Sequence, residues 1–235
     1  MGDLGYDYSG CQVVVTGGTR GIGLAVARAF AEYGAKVIVT GTSMAASTYA
    51  VALTGTSSRH DLYYRQLELS DPDRIRDFAD ALTQVDVLIN GAGCRLPGSV
   101  VGGEREFVTQ AVQLGLAGPT QLVNKLRHKL AVSKISGGGS VIDLQPAQAW
   151  QRLIQPSGTD AELSAASAAV DLRRHADRLA VHRIRYNSVV AAVPHEAQET
   201  AVQTEIAAVT LFLASRGAAG LTGQMLAVRA GLGGY

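Results

Sequence analysis

The stretch Val13-Val14-Val15-Thr16-Gly17-Gly18-Thr19-Arg20-Gly21-Ile22-Gly23 decides how this chain folds. It reads as an apolar strand, a glycine-rich turn and an amphipathic helix beginning near Gly21. Glycines let the backbone turn sharply and let a bound group come close to it. The free N–H groups and positive dipole end of the helix favour an anion, so Gly17, Thr19, Arg20, Gly21, Ile22 and Gly23 form a candidate phosphate-binding turn. The loop by itself leaves open the plainer reading of a tight structural turn.

Outward from this turn, apolar runs that suit strands covered on both faces alternate with longer segments at helical spacing. Strands are expected at Gln12–Thr16, Lys36–Thr40, Tyr63–Leu67, Val85–Asn90, Ser140–Leu144, Arg185–Val189 and Gln224–Val228. Helices are expected at Ile22–Tyr33, Asp71–Leu82, about Glu104–Leu130, Ala161–Val181 and Glu199–Ala214. Pro97–Gly98 and Gly137–Gly139 read as turns, and no internal repeat interrupts the order. The expectation is one α/β domain over residues 1–235: a Rossmann-type, doubly wound, mostly parallel seven-stranded sheet flanked by helices.

Composition narrows the function classes. With 47% apolar residues the chain can bury a full core, and a net charge of +1 without a basic stripe argues against nucleic acid. Cys11 and Cys94 have no metal or redox spacing and read as free thiols, so no metal is expected. No apolar run is long enough to span a bilayer and Met1–Gly10 has no leader pattern, so a soluble, cytoplasmic protein without membrane partners is expected.

After the second strand, Thr40-Gly41-Thr42-Ser43 offers no acid to hold a ribose 2′-hydroxyl, while Arg20 could face a 2′-phosphate. Thr42 and Ser43 join the candidate cofactor residues, and the pattern favours NADP(H) over NAD(H).

With these residues in place, the chain resembles the classical short-chain dehydrogenase/reductase (SDR) family over essentially its whole length. Thr16–Gly23 matches the family's TGxxxGxG motif, and Asn90-Gly91-Ala92-Gly93 looks like a form of its NNAG motif. Leu67-Glu68-Leu69 falls where the family flanks adenine, which adds Glu68, Leu69, Asn90, Gly91, Ala92 and Gly93 to the cofactor candidates. Arg185–Val189 and Leu221–Gln224 match the sixth strand and the approach to the seventh.

The resemblance implies carbonyl or alcohol redox chemistry by an Asn-Ser-Tyr-Lys tetrad. Here Gln113 stands at the Asn position, Pro146 best fits the Ser position, Leu163 replaces the tyrosine and Ser167 the lysine. A shifted alignment cannot restore the pair, because no tyrosine lies between Tyr64 and Tyr186 and the last lysine is Lys134. Leucine has no titratable group and serine cannot depress a phenol pKa, so the family's acid–base step has no agent. The family's Pro-Gly after the sixth strand is Ala191-Ala192, and only Pro194–Gln198 precedes the last helix where a longer lid is usual.

Asp143, Asp160, Glu162, His195 and Glu196 could surround the old pocket and run an isomerisation or elimination. More plainly, Asp160 and Glu162 are acids at a helix start, with Ser157 or Thr159 as a cap, and His195 and Glu196 are solvated. His175 and His182 among Arg173, Arg174 and Arg178 mark a polar or subunit-facing surface, and Trp150 reads as packing near the pocket. The small-residue run Ala165-Ala166-Ser167-Ala168-Ala169 lies on the helix through which classical members associate, so a homo-oligomer or a hetero-oligomer with an SDR paralogue is expected. Three functions stay open at this point: a non-catalytic partner subunit, a non-redox cyclase, isomerase or lyase using the old cleft, and a reductase whose substrate or water supplies the proton.

Overall fold

Val13–Val15, Val37–Val39 and Val87–Ile89 are at most 4% exposed, so these runs carry apolar residues at every position and no polar alternation. They form the centre of the sheet in a computed structural model that describes residues 6–44, 62–92, 109, 112–146, 160–192 and 199–229. The strands are β1 (Gln12–Thr16), β2 (Lys36–Gly41), β3 (Leu62–Gln66), β4 (Val87–Asn90), β5 (Gly139–Pro146), β6 (Ile184–Ala192) and β7 (Met225–Arg229). The helices are α1 (Gly21–Glu32), α2 (Pro72–Asp80), α3 (Gly118–Ala131), α4 (Asp160–Ala180) and α5 (Glu199–Ala214).

The sheet order is β3-β2-β1-β4-β5-β6-β7, and every pairing is parallel. The expected "mostly parallel" sheet is therefore fully parallel, because each consecutive pair of strands is joined by a crossover and not by a hairpin turn. One face packs on α1 and α5 through Val26, Phe30, Ile206 and Leu213. The other packs on α2, α3 and α4 through Ile75, Phe78, Leu122, Leu126 and Leu179.

Boundaries follow local chemistry. Asp71 caps α2 by accepting from Asp73 N at 2.9 Å and Arg74 N at 3.2 Å, and Pro72, which lacks an N–H, takes the first helical position. The expected strand Tyr63–Leu67 ends one residue earlier, since Leu67 and Leu69, each 3% exposed, turn into the core under α2 and α3. The expected unbroken helix Glu104–Leu130 is interrupted: Gln113–Ala117 is a π-turn closed by Gly118 N donating to Gln113 O, and the α-helix proper starts at Gly118. Two residues explain the break. Pro119 has no N–H to continue an α pattern, and Gly118 lies so close to the Leu69 carbonyl that a side chain would collide with it.

Two buried polar residues fasten the sheet. Asp86, 0% exposed, accepts from Gln12 N at 2.9 Å, Ser133 Oγ at 2.7 Å and Lys134 N at 3.0 Å, and also from Gln84 Nε2. Arg185, 4% exposed, donates to the carbonyls of Leu213 and Ala214 at the end of α5, where the helix dipole favours a cation, and to that of Ala218 in the turn that follows.

Candidate functional site

Strand order reverses between β1 and β4, and the C-terminal ends of these two strands bound a crevice of the kind in which open parallel sheets bind ligands. Gly17 stands at this point with φ +66°, and a Cβ there would meet Ala92 Cα, Ala92 N and Gly91 O, each at 2.9 Å. A Cβ on Gly18 would lie 2.8 Å from Val39 Cγ1, and one on Gly23 would run into the Gly17 carbonyl. Thus the first turn of α1 packs directly on the loop, which only glycine permits. Gly21 has φ +53° with nothing within 4 Å, so its backbone conformation and not its surroundings calls for glycine.

Thr16 ties the loop to the end of β4. Its Oγ1 accepts from Gly91 N at 3.1 Å and Ala92 N at 3.2 Å. The start of α1 has no side-chain cap on Arg20 and no acid in its first turn, which leaves the N–H groups and dipole for an anion. Thr19 is buried, Ile22 packs on the core beneath, and Arg20 is exposed beside the loop. These residues fit a dinucleotide phosphate: a cradle with no room for side chains, an uncapped helix start and a free-standing cation.

The flanking candidates are partly brought to the same edge. Gln66 Nε2 donates to Thr42 O at 2.9 Å, and the Tyr64 hydroxyl donates to Ser43 O, so β3 side chains hold the segment after β2. Glu68 turns its carboxylate to Ser70, accepting from Oγ at 2.8 Å and from N at 3.3 Å. Leu69 points into the core, so only its backbone can line a ligand site. Gly93, Cys94, Trp150, His195 and Glu196 lie outside the described residues.

On the α3/α4 face, β4, β5 and β6 bring three polar side chains together. Asn90 Nδ2 donates to Asp143 Oδ1 at 2.8 Å, and the Tyr186 hydroxyl donates to Asp143 Oδ2. Burial pushes the Asp143 carboxyl above the usual carboxylate value, against the lowering effect of Tyr186, Asn90 and the nearby His175. Burial, with the Asp143 charge, drives the Tyr186 phenol far above its ordinary value, so it stays protonated and donates to Asp143. His175 sits 5.9 Å from the Tyr186 ring, its Nδ1 bonded to Asp171 O at 2.9 Å.

The four positions that the family resemblance set against the tetrad fall on described elements. Gln113 opens the π-turn, Pro146 pairs with Ala191 at the end of β5, and Leu163 and Ser167 lie in α4, whose described side chains begin at Val170. The sequence reading missed two features, the Thr16 clasp and the partnership of Tyr186 with Asp143. A carboxylate inside a buried strand is the signal that a partner must exist, but only the register shows which residue it is. Among the described residues no group of three or more His, Cys, Asp or Glu could hold a metal ion. No helix among them is long and apolar enough to cross a membrane.

The family model described as short chain dehydrogenase matches residues 12–205. The chain is 27% identical over 246 residues to the 3-oxoacyl-(acyl-carrier-protein) reductase FabG of Thermotoga maritima, covering 93% of this chain and 96% of the relative. It is also 27% identical over 239 residues to a 3alpha-hydroxysteroid dehydrogenase of Mediterraneibacter gnavus, covering 92% and 94%. Among solved structures, a short chain dehydrogenase/reductase family protein superposes with a TM-score of 0.73 at 27% identity, covering 95% of this chain and 97% of the other. The Pseudomonas aeruginosa RhlG/NADP active-site complex shares the fold with a TM-score of 0.74 at 21% identity, covering 96% and 97%.

Proposed function

Because the chain belongs to the short chain dehydrogenase family and carries leucine and serine where that family has its tyrosine and lysine, we propose that it is a catalytically degenerate member: an NADP(H)-binding, non-catalytic subunit that partners an active dehydrogenase or reductase of the same family. One observation carries the reading. Helix α4, which would present the tyrosine and lysine, contains neither residue anywhere between Asp160 and Ala180. Without that tyrosine and lysine, α4 has no agent for the proton transfer that accompanies hydride transfer in the family.

The case for retained nucleotide binding is the glycine cradle. Gly17, Gly18 and Gly23 each stand where a Cβ would strike backbone or a packed valine, and the uncapped start of α1 is left to an anion. Gly17, Thr19, Gly21, Ile22 and Gly23 would hold the pyrophosphate, and Arg20 the 2′-phosphate. When bound, the nicotinamide supplies a hydride. The NADP complex of the structurally similar RhlG makes the same cofactor the reasonable probe.

The test is a titration of the purified protein with NADPH and NADH, following fluorescence of the single Trp150 and energy transfer to the reduced nicotinamide. The expected result is micromolar binding of NADPH, weaker binding of NADH and no oxidation of NADPH on adding ketones, together with copurification of a family reductase from the native host. Ketone-dependent NADPH oxidation by the protein alone would refute the non-catalytic reading. Absence of nucleotide binding at millimolar cofactor, with the protein shown to be folded, would refute the binding part.

A further inference from the structure

The polar group where the end of β4 meets the middle of β5 has acceptors to spare. Asp143 receives one donor on each oxygen, Asn90 Nδ2 on Oδ1 and the Tyr186 hydroxyl on Oδ2, and both donors are neutral. A carboxylate has about four lone-pair sites, so each oxygen keeps one unused. Beside them Asn90 is 5% exposed, and its own Oδ1 has no hydrogen-bond partner. A buried acceptor left without a donor is unfavourable, which marks the place where a donor belongs.

Among the described residues no cation fills it. The titratable groups acting on Asp143 are the Tyr186 phenol, which already donates, and His175, which lies beyond the Tyr186 ring with its Nδ1 committed to Asp171 O. Arg185, the next residue along β6, is spent on the carbonyls at and just after the end of α5, on the opposite face of the sheet. Asp143 nevertheless keeps part of its surface open to solvent. It stands in the same register row as Thr16 and Asn90, the row that ends at the glycine loop. The result is a set of three acceptor atoms, two of them on an acid, at the edge of the nucleotide crevice and, among the described residues, with no ammonium or guanidinium facing them.

We propose that Asp143 and the free carbonyl oxygen of Asn90 form a binding site for a primary ammonium group, so that the cleft of this protein takes a small organic amine. An ammonium carries three N–H donors, enough to reach both Asp143 oxygens and Asn90 Oδ1 together. Its charge offsets that of the carboxylate, and charge-assisted hydrogen bonds of this kind are about twice as strong as neutral ones. The site is a binding site only and involves no bond making. It does not depend on nucleotide binding, so it stands or falls separately from the function proposed above.

The probe is n-propylammonium chloride, added to the full-length protein at mildly alkaline pH, with tetramethylammonium chloride and n-propanol as controls. The readouts are the thermal midpoint and the carboxyl carbon-13 shift of Asp143. Propylammonium is expected to raise the midpoint saturably in the millimolar range and to move the Asp143 resonance. The controls, which lack either N–H donors on a cation or the charge, should do neither. In Asp143→Asn the affinity should fall by about tenfold or more. An equal response to tetramethylammonium, or an undiminished response in Asp143→Asn, overturns the proposal. If Asp143→Asn does not fold, Tyr186→Phe decides. It removes one donor from the carboxylate, so propylammonium should bind several-fold more tightly, and an unchanged or weaker affinity overturns the proposal.

Discussion

Replacing Gly17 by alanine sets a methyl group against backbone that has nowhere to go. The new Cβ would lie 2.9 Å from Ala92 Cα, Ala92 N and Gly91 O, atoms held in place because Gly91 N and Ala92 N donate to Thr16 Oγ1. A positive φ of +66° adds left-handed strain of about 1–2 kcal/mol, and overpacking about 1–3 kcal/mol more. We expect a total near 3 kcal/mol. For a domain of this size that corresponds to a fall in Tm of roughly 6–12 °C. Gly21→Ala is the control, since φ is +53° but nothing lies within 4 Å of the added methyl. It should lose only the backbone strain, about 1 kcal/mol or roughly 2–4 °C. Thermal unfolding followed by circular dichroism measures both, and the NADPH titration should show the larger loss of affinity in Gly17→Ala. Equal Tm shifts in the two variants would refute the claim that close approach of the Ala92 backbone, and not φ alone, requires glycine at Gly17.

Acid stability should depend on Asp86. Burial opposes its charge, but donors from Gln12, Gln84, Ser133 and Lys134 outweigh burial and hold the carboxyl below the usual carboxylate value. Its contribution is therefore complete above the unfolded value of about 4 and is lost as pH falls through the lower folded value. Asp86→Asn should lower stability at neutral pH by about 1–3 kcal/mol and remove that acid-dependent step, as read by denaturant midpoints across the acid range. Arg20→Ala should weaken NADPH about tenfold and leave NADH unchanged in the same fluorescence titration, the pattern of a lost 2′-phosphate contact. Leu163→Tyr combined with Ser167→Lys should create ketone-dependent NADPH oxidation absent from the parent and from either single variant, because a general acid and its cationic neighbour act together. Equal activity in Leu163→Tyr alone would show that the lysine position does not matter here.

The repeated alternation of apolar strands and helical spacing was enough to place all seven strands and a mostly parallel, doubly wound arrangement, because strands covered on both faces need no polar alternation. Element ends were less legible. Leu67 was read into β3 for its apolar character, but its burial comes from α2 and α3 and not from the ladder. The break at Gln113–Ala117 was missed because the apolar spacing continues through it, and spacing does not record a hydrogen bond that closes over five residues in place of four.

What the sequence by itself determined is the kind of chain this is: the glycine pattern of Gly17–Gly23, and the leucine and serine at Leu163 and Ser167, are identities that no packing can alter. Only the tertiary structure decided which polar groups meet. Asn90, Asp143 and Tyr186 are 53 and 43 residues apart along the chain, and each alone reads as a single polar residue in an apolar strand. Parallel register stacks β4, β5 and β6 so that all three side chains emerge on one face. There, a one-residue slip in register would turn every side chain of a strand to the opposite face and leave a carboxylate among hydrocarbon.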